Sequence, residues 1–224
     1  MNRVLAYCGF LNDARITMPQ TGVSQAQVNV LAEQELRLLW SEVAWPFQQS
    51  ELQRSAVEFH AVIQHVFQQT AVIPFRLLSI FDDVAALRNF AAEHGPEFIA
   101  DLDRLRGYVQ MESVVYVIAG RAPADATSGR AYLRQKAEAL RLSADNAARL
   151  KEQLAAVSGD VHVREVKNGA RIFALVQRGD EERFRRIVES VPVEPPVSRR
   201  VSGPWPAAEF LSAAVKSPRI AGQH

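Results

Sequence analysis

Cysteine is nearly absent from this 224-residue chain: Cys8 is the one thiol, which excludes an internal disulfide and suits a reducing compartment. The five histidines, at positions 60, 65, 94, 162 and 224, show no ligand spacing with Cys8 or with one another. There is no glycine-rich loop of the kind that cradles phosphates, and no nucleophile stands beside a base. No apolar run approaches the roughly 20 residues that a spanning helix needs. An excess of one charge is missing too. Lys plus Arg is 26 against 25 for Asp plus Glu, a net charge of +1, so the whole molecule has no drive toward nucleic acid or anionic lipid. Met1 to Leu11 carries Arg3 and a short apolar run without a small-residue cleavage site, and reads as a first strand. The expectation is a cytoplasmic protein that is not an enzyme, with no catalytic residues, no metal and no cofactor.

What is present is an ordinary globular composition, 48% hydrophobic and 23% charged, enough to bury a real core. The stretch Tyr108 to Ile118, rich in Val and Tyr and preceded by Gly107, has the composition of a central strand. After it come a long helix from Gly129, two strands, a helix capped by Asp180, and a last strand at Val197–Val201. That order, βαββαβ, predicts a ferredoxin-like sheet with two helices on one face. Asn168-Gly169 predicts a two-residue hairpin turn that sets Val163 opposite Ala174 and Val161 opposite Val176. On the long helix Leu133, Ala137, Leu140, Ala144, Ala147 and Leu154 predict an apolar seam broken at Lys151. Unbroken from Arg130 to Ala156, that helix is about 40 Å long and outreaches its own sheet. Part of its seam then needs a partner.

Ahead of Tyr108 the pattern predicts strands at Arg3–Phe10, Val28–Ala32 and Leu36–Val43, the last with helix formers that leave a helical alternative open. Ser50-Glu51-Leu52-Gln53 predicts a capping box for a helix whose stripe is Leu52, Ala56, Phe59, Ile63 and Val66. A short strand ends at Pro74. Asp82 then caps a helix that Gly95 stops, and Pro96 opens another. The whole reads as an α+β chain. A modified ferredoxin-like domain takes residues 1–107, a second ferredoxin-like domain 108–203, and a tail with Pro and Trp 204–224.

Most polar candidates have a plain structural reading. His60 borders the apolar stripe of its helix and reads as a packed histidine. Arg76 suits an anion, or a staple from a strand end to Asp82 or Asp83. Arg183, Arg185 and Arg186 form a solvated face, with Glu182 placed to pair with Arg186. A βαββαβ domain also underlies the RNA recognition motif. That motif wants two aromatics on its third strand, where this chain offers Phe173 alone.

Three blocks go further: Gly129-Arg130-Ala131-Tyr132-Leu133, Gly203-Pro204-Trp205-Pro206 and Val72-Ile73-Pro74-Phe75-Arg76. Together they resemble the gas vesicle protein F/L family (GvpF/GvpL), and the similarity in element order covers nearly the whole chain. The chain departs from the family at Leu77-Leu78-Ser79, where Phe-Gly-Thr is usual, and at Ala207-Ala208-Glu209-Phe210, where Pro-Tyr-Ser-Phe is usual. The resemblance implies a non-enzymatic accessory or minor structural protein of gas vesicle assembly, located at the gas vesicle and in the cytoplasm. Its partners would be the small hydrophobic shell protein and other gas vesicle accessory proteins, with no nucleic acid and no membrane. Candidate interaction residues are Arg76, Arg130, Tyr132, Leu133, Trp205 and Phe210. Arg130 is expected to pair with Glu112, and Trp205 to anchor the tail. A ligand-sensing or RNA-binding ferredoxin-like module is the alternative.

Overall fold

The computed structural model describes residues 1–118 and 129–216. The chain divides into two compact units, Met1–Gly107 with the described residues from Pro206 onward, and Tyr108–Trp205. Each carries its own antiparallel sheet, so the fold is mixed α+β.

In the first unit β1 (Asn2–Leu11) is flanked by β3 (Leu36–Ala44), whose outer neighbour is β2 (Asn29–Glu33). On its other side β1 meets the short β4 (Ile73–Pro74) and β5 (Ile80–Phe81). Leu36–Ala44 is therefore a strand, because its alternating apolar residues are buried against β1 and override the helix propensity of Leu and Glu. Helix α1 (Leu52–Phe67) buries Phe59, Val62, Ile63, Val66 and Phe67. Its capping box does not form: Glu51 is the N-cap residue and no side chain caps the first turn.

Helix α2 (Val84–Arg104) runs unbroken through Gly95 and Pro96. Leu87, Phe90, Ala91, Phe98 and Leu102 recur in one helical phase across that dipeptide and are all buried. One continuous apolar stripe outweighs the local stop signal. Its cap is Asp83, which accepts from the Ala86 amide at 2.7 Å, while Asp82 pairs with Arg3. Phe75, Phe81, Phe90 and Phe98 form a ring cluster with neighbouring centroids 5.3–6.5 Å apart.

The described C-terminal residues belong to this unit. Buried Asp101 accepts from the Ser212 amide at 2.7 Å, and Arg104 donates to the Phe210 carbonyl at 2.6 Å. Phe210, Leu211 and Val215 are buried there, the last in the short helix α5 (Ala213–Lys216).

The second unit is β6 (Tyr108–Val117), α3 (Gly129–Ala155), β7 (Asp160–Val166), β8 (Gly169–Gln177), α4 (Glu181–Ser190) and β9 (Val197–Trp205). Its strand order is β7-β8-β6-β9, antiparallel throughout. Val109, Met111, Ser113 and Val115 of β6 and Ile172, Ala174 and Val176 of β8 form the face under the helices, all buried.

The hairpin turns at Lys167-Asn168, two residues out of the register expected from Asn168-Gly169: Val163 faces Ile172 and Val161 faces Ala174. Gly169 is used in β8 instead, where an added Cβ would lie 2.0 Å from the Val115 carbonyl oxygen. A slip of two leaves every side chain on its intended face.

The last strand continues past Val201 to Trp205. As an edge strand it tolerates Pro204. At the irregularity beside Gln110 and Glu112, Gly203 adopts φ +115, and a Cβ there would meet the Met111 sulfur at 2.8 Å. At α4, Glu182 pairs with Arg185 rather than Arg186, and Asp180 makes no side-chain cap. Among the described residues no helix is long and apolar enough to cross a membrane.

Candidate interaction surface

Helix α3 divides into two stretches. From Ala139 onward one stripe faces the sheet: Ala139, Ser143, Asn146, Ala147, Leu150 and Leu154 are buried. The expected seam is offset from it. Ala147 and Leu154 are buried, but Ala137 and Ala144 are exposed, Leu140 is half-buried and Leu133 is 65% exposed. The true stripe passes through Leu150 rather than Lys151, so the apparent break lies on the solvent side. The earlier part of the helix, from Leu133 to Glu138, is exposed throughout.

The candidate residues fall into both units. Arg76 and Phe210 lie in the first. Arg76 is exposed and its Nη2 lies 3.5 Å from the Lys216 carbonyl, so it reaches the C-terminal segment and leaves Asp82 to Arg3 and Asp83 to the α2 cap. Phe210 is 5% exposed and serves as core. Arg130, Tyr132 and Leu133 open α3 in the second unit, with Arg130 and Leu133 exposed. Trp205 ends β9 opposite Gln110, and its Nε1 donates to the Ser202 hydroxyl at 3.3 Å, so it belongs to the last strand. The expected partner of Arg130 is engaged elsewhere: Glu112 accepts from Arg171 Nε at 2.6 Å.

Several polar contacts were not legible in the sequence. Arg185 donates to the Gly203 carbonyl at 2.7 Å. Arg199 donates to the carbonyls of Glu189 and Val191 at the end of α4, where a cation suits the helix dipole. Burial lowers the Arg199 guanidinium from its ordinary value. The signal for such pairs is a cation near a helix C-terminus, but the partner lies across a turn that only the fold closes. His60, expected to be packed, is exposed.

Burial pushes the Cys8 thiol up to about 12, which removes the thiolate at neutral pH. Among the described residues no group of three or more His, Cys, Asp or Glu is placed to hold a metal ion.

Residues 3–212 match the family described as Gas vesicle synthesis protein GvpL/GvpF. No curated protein sequence matches. Among solved structures, the crystal structure of the gas vesicle protein GvpF from Anabaena sp. PCC7120 is similar with a TM-score of 0.76 at 13% identity, covering 95% of this chain and 97% of that one. The crystal structure of GvpF from Microcystis aeruginosa is similar with a TM-score of 0.69, also at 13% identity, covering 89% of this chain and 94% of that one. At such identity the likeness speaks for the fold, and the family match over nearly the full length speaks for descent. The chain belongs to the GvpL/GvpF family of gas vesicle synthesis proteins.

Proposed function

We propose that this protein is an accessory or minor structural component of gas vesicle assembly, and that it holds the hydrophobic shell protein through apolar surface. The observation that carries this reading is the early part of α3, where Leu133 is 65% exposed and Ala137 is exposed. A shell subunit presents sticky apolar surface before it polymerises, and a complementary apolar helix face is a physical means of shielding it. It would work in the cytoplasm and at the vesicle.

We read both units as ferredoxin-like variants, with the boundary at Gly107/Tyr108 and the working surface in the second. Its strand order β7-β8-β6-β9 with two crossover helices supports that reading.

The experiment is co-purification of tagged full-length protein with the shell protein, comparing wild type with Leu133→Glu/Ala137→Glu. Capture by wild type and loss in the variant, with an unchanged melting curve, is expected. Equal capture by both moves the contact off α3, and no capture by wild type removes the shell protein as a direct partner.

A further inference from the structure

Helix α3 is held to its sheet unevenly. Leu150 and Leu154, both fully buried, sit in its last two turns. Before them the buried stripe is Ala139, Ser143, Asn146 and Ala147, with Leu140 and Leu142 half-buried beside it. Those early turns therefore meet the sheet with methyl groups, a hydroxyl and an amide. Helix α4 differs: in ten residues it buries Phe184 and Val188, and buried Val191 follows.

The path of the chain shows what lies beneath each part. The Gly159 amide, past the end of α3, donates to the Leu175 carbonyl at 2.9 Å, so the late turns lie toward the Val109/Val176 end of the sheet. About 18 Å of helix separates Leu154 from Leu142, and about 20 Å of strand separates Val109 from Val115. The turns around Ser143 thus lie toward the end where Ser113 pairs with Ile172 and Val115 with Ala170. Both sides of the contact carry unpaired polar atoms there. Ser113 and Ser143 are fully buried and Asn146 is 9% exposed. Among the described residues Ser113 Oγ, Ser143 Oγ and Asn146 Oδ1 have no hydrogen-bond partner, although Asn146 Nδ2 donates to the Leu142 carbonyl at 2.8 Å. A buried polar atom without a partner forfeits its hydration. Closing the early turns carries that penalty, and releasing them returns these atoms to water.

We infer that the early part of α3 lifts off the sheet, and that the face it uncovers, Val115, Ala170 and Ile172, joins Leu133 and Ala137 in holding the shell protein. This rests on the shell-protein reading and adds the regulation of that surface: the partner binds by selecting the open form. Continuity is the argument for the occupant. The uncovered residues lie under the same helix whose exposed stretch carries Leu133 and Ala137, so helix and sheet together flank one apolar groove. Leu150 and Leu154 keep the late turns seated.

The test uses the full chain with Cys8→Ala and a single new thiol, Ala170→Cys or Ala174→Cys. Both alanines are buried on the helix-covered face of β8, one toward the early turns and one toward the late. Under native conditions a water-soluble maleimide is expected to label position 170 at least about tenfold faster than position 174. Equal rates mean that only global unfolding exposes the face, and overturn the inference. Ser143→Ala/Asn146→Leu removes two of the unpaired atoms. It should melt higher than wild type, slow labelling at position 170 by about tenfold, leave position 174 unchanged and capture less shell protein. Ser143→Ala alone deletes one hydroxyl, adds no bulk, and should shift each readout the same way by less. If neither variant melts higher, or if the double variant captures shell protein as well as wild type, the inference is wrong. No capture by wild type removes the shell-protein reading itself and the occupant with it, and the labelling order then shows separately whether α3 opens.

Discussion

β1 and β6 are both ten residues long and central in their sheets, yet they meet solvent differently. β1 is buried from Val4 to Leu11, with Tyr7 against Phe59 of α1 and Gly9 close to Phe98 of α2. β6 is buried from Val109 to Ser113, and by Tyr116 it is 36% exposed. The sequences anticipate this. β1 reads Val-Leu-Ala-Tyr-Cys-Gly-Phe-Leu with no charge, as a strand covered on both faces does. β6 alternates Val, Met, Ser and Val with Gln, Glu, Val and Tyr, as a strand with one helix-covered face does. The first unit therefore buries its central strand along nearly its whole length, whereas the second buries both faces of β6 only from Val109 to Ser113.

The sharpest way to break that contrast is along α3 itself. Leu150→Ala removes a fully buried side chain and should destabilise the second unit by about 2–5 kcal/mol. Leu133→Ala, on the exposed stretch, should stay within about 0.5 kcal/mol. Denaturant unfolding followed by a probe in the second unit reads both. Comparable losses at the two positions would mean that the early stretch of α3 is packed, and that the surface assigned to partners is core.

A smaller effect is expected in the first unit. Asp101 is 4% exposed and accepts from both Arg104 and the Ser212 amide, holding the C-terminal segment to α2. Asp101→Ala leaves that amide without its acceptor and should cost about 1–3 kcal/mol. Hydrogen exchange at Ser212 should accelerate with it. Asp101→Asn keeps an acceptor oxygen and should lose less. If Ser212 exchange is unchanged in the Ala variant, the segment is held by its other contacts, the buried apolar residues and the Arg104 bond to the Phe210 carbonyl.

Patterns that depend on one element were legible in the sequence, and patterns that depend on two were less so. The element order of the second unit follows from periodicity and from turn residues. The capping box at Ser50 and the stop at Gly95-Pro96 were local signals that packing overrode. The α3 seam was misplaced because the expected row, through Leu133, Leu140, Ala147 and Leu154, and the buried row, through Ala139, Ser143, Asn146 and Leu150, meet only at Ala147 and Leu154 on an Ala-rich helix. Only the sheet decides which row is covered. The pairing of Glu112 with Arg171 required the β6–β8 register, which brings together residues 59 apart in sequence.

Cys8 supplies the finest test of the closed strand. Its thiol is fully buried and shifted up to about 12 by that burial. The reactive species is the thiolate, so at pH 8 only about one part in ten thousand of the folded protein is competent to react, before access is considered. An aromatic disulfide reagent at that pH should label no thiol in the native protein and one per chain in denaturant. Labelling of the native protein would then report opening of the first unit. Phe98→Ala, beside Gly9, should speed it, whereas Leu150→Ala should leave it alone if each unit opens independently. Fast labelling of the wild type would place Cys8 within reach of solvent and end the contrast with β6.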